Sequence, residues 1–244
     1  LDGLDAVAVA VFDHGNAPAE VSDRQFRFDY LDRRIRAENR LSAFAFRADD
    51  VPPEMTRLQA VVASAQGVEA PLLVMDTAPA AVLGATFDPV VAARPRKLIA
   101  NVGNFHTLAF RLGPEGIEGV FEHHTGLLDL PRLEHLLRSL ADGSLQHADV
   151  FEHHGHGALL YTREALQLGQ GSFDVAVTGP RRSMLAGRTQ SGGLRPYLAV
   201  PFGDMMIAGC FGLLAAVADK MPELAEPIRA SLSGSGQGTA PWDA

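Results

Sequence analysis

The stretch LIANVGNFHTLAFRLGPEGIEGVFEHH, residues 98–124, decides the predicted fold. Residues 98–102, 107–112 and 117–121 are mainly apolar and read as three short strands, while GNFH and GPEG between them read as turns. Three consecutive strands joined by tight turns predict an antiparallel meander. Because helical patterns follow it, we expect an α/β domain that opens with this meander.

The first turn, residues 103–106, is a candidate phosphate-binding site. It places backbone N–H groups that lack strand partners beside the amide of Asn104 and the imidazole of His106. N–H groups that converge in a turn form an anion-binding nest. We therefore interpret the turn as a phosphate-binding hairpin; the alternative is an ordinary hairpin turn with a solvent-exposed histidine.

The totals describe an ordinary globular chain of 244 residues, 47% hydrophobic and 20% charged. A formal net charge of −8 and the lack of a basic stripe argue against a nucleic-acid-binding surface. The single cysteine, Cys210, excludes an intrachain disulfide and a cysteine-rich zinc module, which favours a reducing, cytoplasmic location. The most apolar window, residues 197–218, contains Pro201 and Asp204, so it predicts a buried helix and no membrane partner.

The chain is predicted to contain two units and a tail. It begins with Leu1 and enters an apolar strand almost at once, which indicates that an N-terminal portion is missing. The polar, proline-containing connector FDPVVAARPRK, residues 87–97, marks a domain boundary. We therefore expect one unit over residues 1–90, a second over 91–225 and a flexible Gly/Ser-rich tail over 226–244.

Two predicted strands of the first unit lead into acidic residues. The apolar run 6–12 leads into Asp13 and His14, and the run 72–75 leads into Asp76. Ligands of open α/β sheets bind at the carboxyl ends of strands, so we predict these three residues as catalytic. Asp13 would act as a general base or would hold a metal-bound water with His14 beside it, and Asp76 would contact metal-bound water or phosphate. The alternative for Asp13 is a turn that its side chain caps, and the alternative at the second strand end is that Thr77 caps the helix that follows.

The remaining segments are read from their periodicity. Residues 22–39 interleave arginines and acids with a short apolar stripe, which predicts a solvent-exposed amphipathic helix; phosphate steering by its arginines is the alternative. Further helices are predicted over residues 54–66, 78–85, 131–141, 161–168 and 205–218, and further strands over 148–151, 173–177 and 198–200. The alternation of helices and strands after the meander supports the α/β class.

Nine histidines are present, and five of them fall in two similar segments, VFEHHTG (residues 120–126) and VFEHHGHG (residues 150–157). Neutral imidazoles and carboxylates suit Zn, Ni or Fe(II), so His123, His153 and His156 are candidate metal ligands. Neither segment has a standard zinc-ligand spacing, and adjacent histidines on an extended chain point to opposite faces. The alternative is a polar loop that lines a cleft, with His156 hydrogen-bonded to a ligand.

Seven segments together resemble a known family. They are FDHG (12–15), MDTAPAAVLGA (75–85), ANVGNFHTLAF (100–110), FEHHTG (121–126), GHGA (155–158), VTGPRR (177–182) and PFGDMMIAGCFGLL (201–214). They are similar to a domain-of-unknown-function family labelled pyruvate formate-lyase activating-enzyme-like, which is grouped with the actin-like ATPase superfamily of sugar kinases, actin and heat-shock chaperones. The label implies little about activity, because Cys210 stands alone where a radical-SAM activating enzyme has a cysteine triplet.

The resemblance implies a ribonuclease H-like plan of two similar domains. Each domain opens with a three-stranded meander and continues with alternating helices and strands, and ATP and Mg²⁺ lie in the cleft between the domains. Residues 91–225 would form the second actin-like subdomain. Residues 1–90 would form the C-terminal part of the first, a partial copy whose own phosphate hairpin lies upstream of Leu1.

The superfamily's phosphate hairpin, Asp-x-Gly-x-x-x-Thr, matches Asn101, Gly103 and Thr107. Asn101 carries no charge to hold a Mg²⁺-bound water, so the resemblance implies phosphate contact at this hairpin more than catalysis. The catalytic acid of similar proteins would correspond to Asp13, and the small-residue turn beside the adenosine would contain Gly179. The full set of predicted nucleotide-binding residues is Asn101, Gly103, Asn104, His106, Thr107, Gly155, His156, Thr178, Gly179, Pro180 and Asp204.

Three functions follow as hypotheses. The first is a nucleotide-binding protein of the actin-like type, which transfers a phosphoryl group or uses ATP to drive a client protein. The second is a metal-dependent hydrolase built on the histidines. The third is a non-catalytic accessory protein that keeps the fold and binds nucleotide without turnover. We carry the first forward, with a small-molecule nucleotide as the main partner.

Overall fold

The computed structural model describes residues 3–185 and 193–233 and shows a mixed α/β protein. These residues contain nine strands in two sheets and eight α-helices. The strands are β1 Val7–Ala10, β2 Ala45–Arg47, β3 Leu72–Met75, β4 Lys97–Val102, β5 His106–Gly113, β6 Gly116–His124, β7 Gly157–Leu160, β8 Val175–Thr178 and β9 Pro196–Leu198. The helices are α1 Asp23–Ala37, α2 Thr56–Ser64, α3 Thr77–Ala85, α4 Pro89–Ala92, α5 Leu130–Asp142, α6 His147–Phe151, α7 Ala208–Lys220 and α8 Pro222–Leu232. None of these helices has the length and apolar character that crossing a bilayer requires.

The larger sheet has the strand order β7-β6-β5-β4-β8-β9. β4, β5 and β6 form the antiparallel meander that the sequence predicts, and β7 extends it. β8 and β9 run parallel to β4 on its other side. The carboxyl ends of β4 and β8 therefore lie side by side, with Asn101 and Thr178 in register.

One irregularity in the meander changes which side chains face each other. Leu112 pairs with Ile117, but Arg111 pairs with Gly119, so Glu118 is an extra residue on β6. The Glu118 carboxylate accepts a hydrogen bond from Nε of the buried Arg111 at 2.8 Å. Because side chains alternate along a strand, this bulge turns every later residue of β6 to the face opposite the one that unbroken pairing would give.

The smaller sheet has the order β1-β3-β2, with β1 parallel and β2 antiparallel to β3. The apolar run of β3 is buried on both faces, as expected of a central strand. Leu72 and Val74 face a core shared with the larger sheet, whereas Leu73 and Met75 face the core that α7 and α8 cover. α5 covers the far face of the larger sheet with leucines at helical spacing, as its sequence predicts.

Helices α3 and α7 cross in close contact because both carry small residues there. A Cβ atom at Gly212 would lie 1.9 Å from the carbonyl oxygen of Ala80, so no other residue fits without moving a helix. This contact fixes the position of α3 relative to the segment that leads into α7, and both border the candidate site described below.

Two local predictions are wrong because tertiary contacts override local propensity. Residues 148–151, predicted as a strand, lie in helix α6, and the strand follows as β7. Residues 161–168, predicted as a helix, form neither helix nor strand. The Tyr161 hydroxyl donates to Asp32 on α1, and Leu166 packs against the core cluster that contains the α5 leucines, so tertiary contacts hold the segment in a non-helical conformation.

The last elements also start later than predicted. α7 begins at Ala208, not at residue 205, because Asp204 accepts the Met206 N–H at 2.7 Å and ends the turn before the helix. α8 reaches Leu232, so the first residues of the tail predicted over 226–244 are helical. The remainder of that tail, from residue 234, lies outside the described residues.

A buried arginine joins the two sheets. Arg27 on α1 has no solvent-exposed side-chain surface, and it donates to Asp76 Oδ2 at 2.6 Å and to Glu122 Oε2 at 2.8 Å. Asp76 follows β3 of the smaller sheet, whereas Glu122 lies on β6 of the larger one. Arg27 Nη1 also donates to the carbonyl oxygen of Asp13, after β1, at 3.1 Å. The prediction that the arginines of residues 22–39 lie on a solvent-exposed face is therefore wrong for Arg27.

We expect Arg27→Met to lower the free energy of unfolding by about 3–5 kcal/mol, because it leaves the buried carboxylates of Asp76 and Glu122 without a counter-charge. Urea unfolding followed by circular dichroism measures the change. Arg33→Met on the same helix is the matched control: its side chain is 63% exposed, and a change within about 0.5 kcal/mol is expected. An equal loss in both variants would contradict the structural role of Arg27.

Candidate functional site

Four strands from both sheets end at one cavity of about 1040 Å³, a size typical of cofactor and small-molecule sites. β1 lines it along its length, and residues at or just after the carboxyl ends of β3, β4 and β8 complete that side. Among the predicted site residues, those that line the cavity are His14, Asn101, Gly103, Asn104, His106, Thr178, Gly179 and Pro180.

The two glycine turns that the sequence predicts as phosphate contacts lie next to each other on the cavity wall. Gly103 follows β4 and Gly179 follows β8. Gly179 has a φ of 97°, and a Cβ atom there would lie 2.5 Å from the carbonyl oxygen of Val102. Glycine at this position is therefore what lets the ends of the two parallel strands approach.

The ionisable side chains of the described cavity lining are arginines, histidines and one cysteine, with no carboxylate among them. Arg57 lies in the first turn of α2, and Arg182 follows the Gly179 turn, where its Nη1 donates to the Gly179 carbonyl oxygen at 2.9 Å. His14 and His106 add two imidazoles. This lining favours a ligand with negative charge.

Most of the remaining described wall is apolar. β1 contributes Ala8 to Ala10, and the segment before α7 contributes residues 205–207, of which Met206 is 78% exposed. Phe105, at the tip of the meander turn, is 81% exposed at the rim. Cys210, the only cysteine of the chain, is exposed and lines the same wall. A ligand with one apolar end and one anionic end matches this lining.

Asp13, predicted as a general base, instead accepts hydrogen bonds from backbone N–H groups. Its Oδ1 accepts the Gly15 N–H at 2.9 Å, and its Oδ2 accepts the N–H groups of Arg57 and Leu58 at 2.9 and 3.0 Å. The carboxylate is 2% exposed and does not line the cavity. It therefore caps the turn at Gly15, which is the alternative that the sequence left open, and it also caps the first turn of α2.

Four other predicted site residues lie away from the cavity lining. Asp76 pairs with Arg27, and burial raises the pKa of its carboxyl although the arginine charge opposes the shift. The Thr107 hydroxyl is buried against that of Thr125 at 2.9 Å. Asp204 caps the turn before α7, and Gly155 packs against His123. These positions serve the fold around the site.

Three histidines meet beside the cavity. A ring nitrogen from each of His106, His124 and His156 lies within 4.8 Å of the others. The ring centroids form a triangle with sides of 4.6 to 4.9 Å. His106 also stacks on Phe12 at 4.6 Å and is the member of the group that lines the cavity.

The strand register explains this group. His106 on β5 pairs directly with His124 on β6, so both side chains stand on one face. His156 precedes β7, and its N–H donates to the Glu122 carbonyl oxygen at 2.9 Å. Glu122 stands two residues before His124 and therefore on the same face. The group thus comes from two neighbouring strands, β5 and β6, and from the residue just before β7 of the same sheet.

Burial keeps these imidazoles neutral. It lowers the pKa of His106 and of His156 to about 4, against the opposing pull of the Glu122 carboxylate, and it also lowers the pKa of His124. Burial alone would raise the pKa of Glu122, but the charge of Arg27, which also hydrogen-bonds the carboxylate, opposes this effect, and the net shift is downward. Glu122 is therefore an anion and the histidines carry free lone pairs near pH 7.

The predicted metal ligands are distributed differently. His156 belongs to the group, but both ring nitrogens of His123 face carbonyl oxygens, those of His124 at 3.1 Å and of His153 at 3.0 Å. The His153 side chain is exposed. His124, Glu122 and Arg182 are the functional candidates that sequence reasoning missed. His124 could have been predicted as the partner of His106 from the pairing of the two hairpin strands, but only if the bulge at Glu118 had been known.

A model of the family described as "Putative pyruvate format-lyase activating enzyme (DUF1786)" matches residues 1–184, so the chain belongs to this family. The match includes both glycine turns and all three histidines of the group. Neither a curated protein nor a solved structure matches the chain significantly.

We expect the stability of the protein in chelator-treated buffer to fall as the pH is lowered from about 6.5 to about 4. The unfolded chain protonates His156 near its ordinary pKa, whereas the folded chain resists down to about 4, so the unfolded state binds more protons in this window. Above pH 6.5 both states are neutral at His156 and nothing is lost. Between pH 6.5 and pH 4 the free energy of unfolding should fall by about 3 kcal/mol because of His156.

Chemical denaturation at several pH values measures this dependence. His156→Gln should flatten it, whereas His135→Gln, at an exposed position on α5, should leave it unchanged. An identical pH slope in the wild type and in His156→Gln would show that the imidazole is not held neutral by the fold.

Proposed function

We propose that this DUF1786-family chain binds a nucleotide such as ATP in the cavity between its two sheets, in the manner of an actin-like ATPase. The observation that carries the proposal is the charge of the cavity. In a chain of net charge −8, the described lining combines two arginines and two histidines with no carboxylate. The two arginine charges, which no described lining carboxylate opposes, attract anions, and the phosphates of a nucleotide are the anions that best match two adjacent glycine turns.

The strand order supports the actin-like part of the proposal. A meander of β4, β5 and β6 is followed by β8 and β9, which run parallel to β4. This is the order of elements that the resemblance to the superfamily implies for its second subdomain. Placing the site at the carboxyl ends of parallel strands also agrees with the general rule for open α/β sheets.

The cavity accommodates the parts of a nucleotide separately. The turns at Gly103 and Gly179, together with Arg57 and Arg182, suit the phosphates. The N-terminus of α3, a helix of nine residues that begins at Thr77, also borders the cavity and adds its positive dipole end. The apolar wall of β1 and of the segment before α7 suits the base and ribose.

The same residues do not fit a magnesium site made by the protein. Mg²⁺ is usually held by one or two carboxylates together with substrate phosphates. Among the described residues the lining has no carboxylate, both oxygens of Asp13 bind backbone N–H groups, and Asn101 is neutral. We therefore propose nucleotide binding, with any response passed to a client protein, and derive no phosphoryl-transfer step.

Isothermal titration calorimetry with ATP and with ADP tests the proposal. Arg182→Gln should weaken ATP binding by roughly tenfold to a hundredfold, the loss expected for a hydrogen bond to a charged group. Because the described part of the lining offers no carboxylate to hold the metal, ATP affinity should change little when Mg²⁺ is omitted.

Arg163→Gln is the control for the change in net charge, since Arg163 is exposed and does not line the cavity. It should bind ATP like the wild type. An absence of heat with ATP and ADP at millimolar concentration, or an equal loss in both arginine variants, would refute nucleotide binding in this cavity.

A further inference from the structure

We infer that His106, His124 and His156 form a binding site for a divalent transition metal of the zinc type, open on the side of the cavity. The inference does not depend on nucleotide binding. Three imidazole nitrogens lie within 4.8 Å of one another. Such nitrogen donors bind zinc, cobalt and nickel better than they bind magnesium or calcium, which prefer oxygen ligands. Three histidines with one open position are also the arrangement of catalytic zinc sites.

The hydrogen bonds around the group point to a missing ligand. His156 is 4% exposed, and its buried Nδ1 has no hydrogen-bond partner among the described residues. Leaving a buried nitrogen unpaired carries a desolvation cost that a bound metal would remove. In its neutral form each ring carries one N–H and one lone pair, and the lone pair is what a metal would use.

Glu122 supplies the outer partner that such sites require. Its Oε2 is held by Arg27 at 2.8 Å, but its Oε1 is buried and has no partner among the described residues. Carboxylates beside metal-bound histidines accept the second ring N–H or a proton of metal-bound water, and they fix the orientation of the ligands. A buried carboxylate next to three neutral imidazoles also offsets part of the charge of a divalent ion.

The position of the group determines what the metal would face. His106 lines the cavity, whereas His124 and His156 are not among its lining residues. A metal bound to all three would therefore present its open coordination position towards the cavity and its bound ligand. Water at such a position has a pKa near 7 on zinc, so the site would place a nucleophile or a Lewis acid beside the anionic end of the cavity.

Titration with Co²⁺ alone tests the site, because tetrahedral Co²⁺ absorbs visible light strongly. Untagged protein freed of metal by a chelator should take up one equivalent and develop this absorption, and Zn²⁺ should displace it. Excess Mg²⁺ should not displace the bound Co²⁺, because Mg²⁺ prefers oxygen ligands. His124→Gln and His156→Gln should each lose more than the roughly 10–100-fold in affinity that even an outer partner contributes.

His135→Gln, exposed on α5, is the control and should bind Co²⁺ like the wild type. His124 is half-buried, so its variant keeps the test valid if His156→Gln fails to fold, and circular dichroism reports the folding of each. Uptake far below one equivalent, or an equal loss in the His124 and His135 variants, would overturn the inference.

The two proposals can fail separately. His124 does not line the cavity, so His124→Gln should abolish Co²⁺ binding and leave ATP binding intact. Arg182→Gln should have the opposite effect. Loss of both activities in either variant would mean that the metal site and the nucleotide site are not the separate units described here.

Discussion

The guanidinium of Arg27 is the constraint on which the site depends. A cation with no exposed side-chain surface is tolerated only where anions surround it, and desolvation makes any other arrangement costly. Its partners come from three places that are distant in the sequence: the carbonyl of Asp13 after β1, Asp76 after β3 and Glu122 on β6. One side chain thus holds the strand ends of the smaller sheet against the histidine face of the larger sheet.

The distribution of charge follows from this constraint. Three buried carboxylates are used inside the protein: Asp13 caps α2, while Asp76 and Glu122 neutralise Arg27. What remains for the described cavity wall is arginine and histidine, although the whole chain is acidic. The same arrangement leaves Glu122 as an anion close to three neutral imidazoles. The cavity can therefore bind an anionic ligand while the neighbouring histidine group binds a cation.

Much of the fold, and the position of the cavity, could be predicted from the sequence. The meander, β3, α5 and the two glycine turns follow from local patterns, and the turns meet because parallel strands end at the same edge. The pairing of His106 could not be read in the same way. Unbroken pairing from the GPEG turn would place His123 opposite it, and the bulge at Glu118 substitutes His124. Nor does helical periodicity tell which arginine of α1 is buried, since Arg27 and its exposed neighbours occur in the same charged pattern.

The location of Cys210 gives the protein a chemical reporter of its own. It is the single thiol of the chain, it is exposed, and it stands on the wall that borders the cavity. A maleimide or a fluorinated thiol tag would consequently attach at one defined point without engineering. The rate of that alkylation, or the NMR resonance of the attached group, would change when a ligand binds in the cavity. Occupancy could therefore be followed before the natural ligand is identified.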